Sequence, residues 1–178
     1  MKLTIEEVTA AIQEKFPEAL LASEQQYDFT VHTIRKDLIV PVFTFLYNDE
    51  RFQFQYLTTA CGLHFPNAEK PFAMMYQLHS LIYNLRIRFK SFTAANDLYF
   101  DTLIPLFSAA NWMEREAFDF YGIRFKGHPT MKRILNVDDM DYHPMRKEYP
   151  VEDLTRYDKD DTMFGRDKAA FDRGRLGD

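Results

Sequence analysis

The sequence predicts an α+β domain of two layers, with helices on one side of an antiparallel or mixed sheet. Three observations point there. An amphipathic helical pattern opens the chain, period-two alternation dominates its middle, and the patterns run helix, two strands, helix, three strands. With 178 residues the chain is long enough for one domain. Folding at this size removes roughly 70% of the extended surface, so no cross-link is needed to hold a core.

The elements follow in order. Thr4 with Glu7 forms a capping-box pattern, and Ile5, Val8, Ile12 and Phe16 recur at helical spacing until Pro17 stops the helix. Short strands are predicted at Ala19–Ala22 and Phe29–Ile34. Leu38, Val42, Phe45 and Leu46 favour a helix over Asp37–Tyr47, its start blurred by Pro41, with a turn at Asn48–Glu50. Three strands are expected next. The first is Arg51–Tyr56, where Phe52, Phe54 and Tyr56 alternate with Arg51, Gln53 and Gln55; the second is "FAMMYQLHSLI". The third, "LRIRFKSF" at Leu85–Phe92, must bury Leu85, Ile87 and Phe89 and show Arg86, Arg88 and Lys90 to water or a partner. The Ile82–Asn84 link suits an antiparallel hairpin. From about Asp97 a helical region is predicted as far as Tyr121, and loops after it.

This divides the chain into an α+β unit at 1–95, a helix-and-loop region at 96–150 packed on it, and an extended charged tail at 151–178. Eight of the 28 tail residues are acidic and six basic. Such a segment cannot build a core of its own; it is either disordered or laid over a neighbour. The formal net charge of −5 argues against binding duplex nucleic acid. One cysteine, Cys61, excludes an internal disulfide, a four-cysteine zinc site and an iron–sulfur cluster held by this chain alone. The N-terminus carries acids where a signal peptide would be apolar, and no run of 18 apolar residues occurs. The expectation is a chain kept on the cytoplasmic side, with no transmembrane segment. Aromatic residues reach 16%, enough that some rings are expected to be covered by partner surface.

The chemistry-bearing stretch is "WMEREAFDFYGIRFKGHP", Trp112–Pro129. On a helix from Asn111 to Tyr121, Asn111 and Glu114 read as a capping box, and Trp112, Arg115, Glu116 and Asp119 share one arc. Arg115 and Asp119 stand four apart and are expected to pair. Glu114 and Glu116 point about 160° apart around the axis, which cannot give the facing carboxylates of a hydrolase. Gly122 fits the left-handed residue that ends a helix. Two His-Pro pairs follow, His128-Pro129 and His143-Pro144, with acids between them; their spacing matches no compact metal-ligand pattern and reads as fixed turns. "HPMRKEYP" reads as a stiffened loop presenting Arg146 and Lys147. The bare residues indicate an interaction domain more than an enzyme. A metal hydrolase using Glu116, Asp119 and His128 is the contrasting reading.

"ANWMEREAFDFYGIRFKGHP", then "RIL" at Arg133–Leu135, then "HPMRKEYP", closely resembles the signature of the 30 kDa (C) subunit of respiratory NADH:quinone oxidoreductase, complex I. The match is tight over Ala110–Pro150 and looser before it. Met145 and Glu148 stand where the family usually has Leu and Asp. The resemblance implies a non-redox assembly subunit of the peripheral arm. Its docking partner would be the large quinone-site (D) subunit, with the (B) subunit that holds the terminal iron–sulfur cluster nearby. It implies no cofactor in this chain, with FMN, iron–sulfur clusters, NADH and quinone on other subunits. It implies a peripheral location at the cytoplasmic face of a bacterial plasma membrane, with the tail lying on partner subunits. Trp112, Glu114, Arg115, Glu116, Asp119, Gly122, His128, Pro129, Arg133, His143, Pro144, Arg146, Lys147 and Pro150 would be motif residues for docking and assembly. The equivalent subunit of a membrane-bound hydrogenase or another quinone-reducing complex is the near alternative.

Overall fold

The computed structural model describes residues 3–149. Helix α1 (Ile5–Lys15) starts as its capping box requires: the Glu7 N–H donates to the Thr4 hydroxyl at 3.3 Å, and the Thr4 N–H to the Glu7 carboxylate at 3.0 Å. Its apolar stripe buries Val8 and Ile12 completely. Strands β1 (Leu20–Gln26) and β2 (Phe29–Ile34) form an antiparallel hairpin. The first outruns its predicted end at Ala22, because pairing continues through Glu24↔Val31 to Gln26↔Phe29. Polar side chains do not stop a strand whose outer edge faces water. A 3₁₀ turn at Lys36–Leu38 leads into α2 (Ile39–Asn48), where Pro41 lies in the first turn and lacks an N–H that would have no helical partner there.

The strand predicted at Arg51–Tyr56 does not form. The chain instead folds tightly under α2: Phe52 and Gln53 both donate to the Asp49 carbonyl at 3.0 Å, Phe54 donates to Leu46 at 2.9 Å, and Gln53 adopts φ +48°. Phe52 and Phe54 are both buried. Their alternation comes from two rings plugging the end of a helix, not from a pleat. The strand that forms is β3 (Tyr56–His64), which sequence reading missed. Its small and polar residues dilute the pattern, and an irregularity between Leu57 and Thr59 shifts the phase.

Strands β4 (Phe72–Ser80) and β5 (Leu85–Thr93) make the predicted hairpin, in register from Ser80↔Leu85 to Phe72↔Thr93. The apolar run of β4 ends at Ser80, which leaves Leu81 and Ile82 exposed in the turn. On β5, Ile87 and Phe89 are wholly buried while Arg86 is exposed, as the alternation demands. The five strands lie in the order β1-β2-β5-β4-β3, with β2 and β5 parallel and the other pairs antiparallel. One core joins α1 and α2 to Met74, Tyr76, Leu78, Ile87 and Phe89.

Residues 97–109 are not helical as predicted. Tyr99–Asp101 form β6, which pairs in parallel with β7 (Arg124–Lys126) as a separate two-stranded sheet. The turns between Leu103 and Phe107 follow, and helix α3 begins only at Ala110, running to Tyr121. Amide–carbonyl bonds from Arg124 to Leu98 (2.8 Å) and from Thr102 to Lys126 (3.0 Å) extend this pairing at both ends. The segment thus satisfies its backbone by long-range pairing that no local pattern reveals.

Candidate functional site

Helix α3 lies against β3, with the Tyr121 ring over Gly62, where an added Cβ would stand 2.5 Å from the ring. Its start differs from the predicted capping box. The cap is Ala109, with no side-chain bond, and Glu114 turns inward. There Glu114 is fully buried and accepts the Leu103 N–H at 2.7 Å and the Thr102 hydroxyl at 2.6 Å. Burial pushes its carboxyl up to about 7, against the pull of these two bonds. Glu116 is exposed, and among the described residues it has no hydrogen-bond or ion-pair partner. The two glutamates therefore sit on opposite sides of the helix, one in the core and one in water.

The predicted Arg115–Asp119 pair does not form either. Arg115 donates to the carbonyls of Lys132 (3.1 Å) and Arg133 (2.9 Å), and its guanidinium lies 5.2 Å from the exposed Trp112 ring. Asp119, 0% exposed, pairs instead with Arg133, whose side chain is 8% exposed, at 2.7 Å. The other carboxylate oxygen accepts the N–H groups of Ile134, Leu135 and Asn136 at 3.0, 2.8 and 3.0 Å. The Asn136 amide adds a bond at 3.0 Å. Burial alone would raise the Asp119 pKa, but the bonds from Asn136, Leu135 and Ile134 together hold it well below the usual carboxylate range. Arg133 completes the node by donating to Met140 and Tyr142 at 2.7 and 2.8 Å.

The "HPMRKEYP" loop has a second task. A helix leaves its last four carbonyls without intrahelical donors, and α3 fills all four. Gly122, at φ +78°, donates to Phe118 at 2.8 Å. His143 Nδ1 and Arg133 donate to the Asp119 carbonyl at 2.9 and 3.1 Å, the Met145 N–H to Phe120 at 3.2 Å, and Arg146 Nε to Tyr121 at 2.9 Å. Two arginines thus stand at the negative end of the helix dipole. Arg146 is not presented to solvent as predicted. It folds inward, with its guanidinium 5.1 Å from the Phe72 ring. Lys147 is exposed, while its N–H donates to Nδ1 of His64, which stacks on Phe72 at 4.4 Å.

His128 donates from Nε2 to the Asn111 carbonyl at 3.2 Å and accepts the Thr130 N–H at Nδ1, 3.0 Å. Both ring nitrogens are occupied, as a fixed turn requires. Pro129 is exposed and Pro144 half-buried; Pro150 and the tail lie outside the described residues. Glu116, Asp119 and His128 do not converge, since Asp119 is saturated with donors and Glu116 faces water. Among the described residues no three of His, Cys, Asp and Glu gather to hold a metal ion, and no helix is long and apolar enough to cross a membrane.

Beside exposed charges such as Glu116, Lys132 and Lys147, α3 and the loop it anchors expose apolar side chains. Trp112, Leu135 and Val137 are 60%, 65% and 63% exposed, and Tyr142, Met145 and Tyr149 are also open. Sequence reading singled out Trp112 but not the exposed Leu135 and Val137. Their signal is aliphatic side chains in a stretch whose neighbours, Asp138 and Asp139, are acids and which matches no helix or strand period.

Residues 32–155 match the family described as "Respiratory-chain NADH dehydrogenase, 30 Kd subunit". The C subunit of the NADH-quinone oxidoreductase of Brucella ovis is 37% identical over 145 residues, covering 82% of this chain and 71% of the relative. That of Xanthobacter autotrophicus is 37% identical over 160 residues, covering 89% and 76%. Two solved structures share the fold. A trypsin-resistant fragment of Nqo5 superposes with a TM-score of 0.62 at 23% identity, over 71% of this chain and 98% of that one. A chain of an archaeal membrane-bound sulfane sulfur reductase does so with a TM-score of 0.69 at 21% identity, over 87% and 95%. With its motif, its fold and these relatives together, the chain belongs to the 30 kDa subunit family of respiratory-chain NADH dehydrogenase, complex I.

Proposed function

We propose that this chain is a non-redox assembly subunit in the peripheral arm of an ion-translocating NADH:quinone oxidoreductase. It docks through α3 and the Lys132–Tyr149 loop against the quinone-site (D) subunit and near the (B) subunit that holds the terminal iron–sulfur cluster. FMN, the iron–sulfur clusters and the NADH and quinone sites belong to other subunits, at the cytoplasmic face of a bacterial plasma membrane. The observation that carries this reading is the Asp119–Arg133 node. Arg115, Asp119, Arg133, His143 and Arg146 all hold one loop on α3, while Trp112, Leu135 and Val137 stay exposed. Such an investment suits a pre-organised surface rather than a reacting centre.

Surface variants test it. Leu135→Asp and Glu116→Arg, at exposed positions, leave the melting temperature of the isolated chain unchanged and lower the amount of complex assembled in native membranes. Arg115→Ala, which frees the carbonyls of Lys132 and Arg133, lowers assembly as well. The reading fails if the surface variants assemble normally. The likeness to the sulfane sulfur reductase chain favours one second reading, the equivalent subunit of a related respiratory membrane complex. Identification of co-purified partners separates the two: a flavin-bearing NADH module supports the first.

A further inference from the structure

The helices pack on one face of the five-stranded sheet, and strand alternation turns Arg86, Arg88 and Lys90 of the central strand β5 to the other. Arg88 donates twice to the Gln77 side-chain oxygen, at 3.2 and 2.8 Å, and lies 4.3 Å from the Phe29 ring. Lys90 donates to the Gln26 side-chain oxygen at 2.8 Å. These neutral acceptors fix the two cations without neutralising them. A guanidinium carries five N–H donors and an ammonium three, so most of their capacity is unspent. Among the described residues none of the three cations lies within ion-pair distance of a carboxylate. Asp28 shares a cleft with Arg86, Glu24 accepts from Gln26 at the sheet edge, and the charge of exposed Glu116 on α3 reaches Cys61, as does that of Arg88. In a chain of net charge −5 this row of cations runs against the overall balance. Beside it, in register with Lys90, stand the half-buried Met75 and Cys61.

We infer that this helix-free face is a second docking surface, which takes an acidic polypeptide segment of a neighbouring subunit along β5. The inference rests on the reading that the chain works inside a multi-subunit complex. Held cations with spare donors are pre-organised for carboxylates, and the apolar row beside them gives such a segment a dry contact. Three cations are fewer than the clusters of about 4–8 that read as a lipid-headgroup site, and the chain's acidity disfavours a polynucleotide.

Labelling the whole complex, purified from native membranes, with an amine-reactive ester and comparing it with the isolated chain tests this. Lys90 is expected to lose its labelling in the complex, and a zero-length carbodiimide is expected to join it to an Asp or Glu of another polypeptide. Arg86→Glu is expected to weaken retention of the chain in salt-washed complex by ~tenfold, with Arg86→Lys behaving as the parent. Equal labelling of Lys90 in both forms overturns the proposal. If Lys132 and Lys147 are protected in that case, the α3 docking face stands; if they too are labelled equally, it falls as well. Cross-links from Lys90 only to Glu24 or to residues 151–178 of its own chain overturn it. So does protection that disappears on delipidation.

Discussion

Replacing Asp119 by Asn keeps the shape of the buried node and removes its logic. One Asp119 oxygen accepts three backbone N–H groups, and the other accepts Arg133 and the Asn136 amide. An amide has only one oxygen. Its NH₂ group must therefore face either three amide donors or a guanidinium, and Arg133 is left without a counter-charge in a place that is 8% exposed. Breaking a buried pair in this way costs about 3–5 kcal/mol, a large share of the roughly 5–15 kcal/mol that holds a domain together. With a urea slope of about 2 kcal/mol/M, the unfolding midpoint of the isolated chain falls by about 2 M. Asp119→Ala/Arg133→Ala is expected to recover part of this, because no lone charge remains. The sign with pH also follows. The folded-state pKa of Asp119 is depressed, so the contribution is fully present above the unfolded value of about 3.9 and is lost as pH falls below it. A midpoint shift under 0.5 M for Asp119→Asn at pH 7, or a shift that persists undiminished at pH 2, refutes the reasoning.

Three further substitutions probe the same framework. At Gly122, φ is +78° and a Cβ would meet the Arg146 guanidinium at 2.6 Å and the His143 ring at 2.7 Å. Gly122→Ala therefore disturbs two caps at once; a loss of about 2 kcal/mol lowers the thermal midpoint by about 4–8 °C. Gly62→Ala drives a methyl to 2.5 Å from the Tyr121 ring, and calorimetry of the isolated chain should show about 1–3 kcal/mol of overpacking between β3 and α3. Glu114 has a folded-state pKa raised to about 7, so its contribution is fully present below the unfolded value of about 4.3 and is lost as pH rises through 7. Urea titrations from pH 4 to 8 should show the parent losing about 3 kcal/mol relative to Glu114→Gln across that window; parallel pH profiles would contradict it.

How much of this was legible in the sequence depends on whether the determinant was local. The Thr4–Glu7 cap, the β5 alternation, the β4–β5 hairpin and the left-handed Gly122 are set by neighbours in the chain, and each was predicted at its place. Asp119 and Arg133 were both singled out, but their pairing and the part of Asn136, Met140 and Tyr142 in the node were not. A four-residue helical spacing favours Arg115 as partner, whereas the partner that wins, Arg133, arrives by way of a loop returning from β7. Arg146 was read as a presented charge because sequence shows a side chain's type but not its direction. The false strand at Arg51–Tyr56 and the missed β3 share one cause. Period-two alternation is a sign of burial, and Phe52 and Phe54 are buried by a turn, while Cys61 and Gly62 sit in a true strand with little hydrophobic contrast. Leu135 and Val137 escaped notice because an exposed aliphatic has meaning only once the surrounding surface is known.

The central claim is that the signature holds a docking surface and carries no redox step. NADH:quinone turnover per assembled complex, normalised to bound flavin in membranes carrying Leu135→Asp, Glu116→Arg or Asp119→Asn, measures it most directly. Fewer complexes, each turning over at the parental rate, is the predicted result. Normal assembly with turnover lost per complex would place chemistry in this chain and contradict the account.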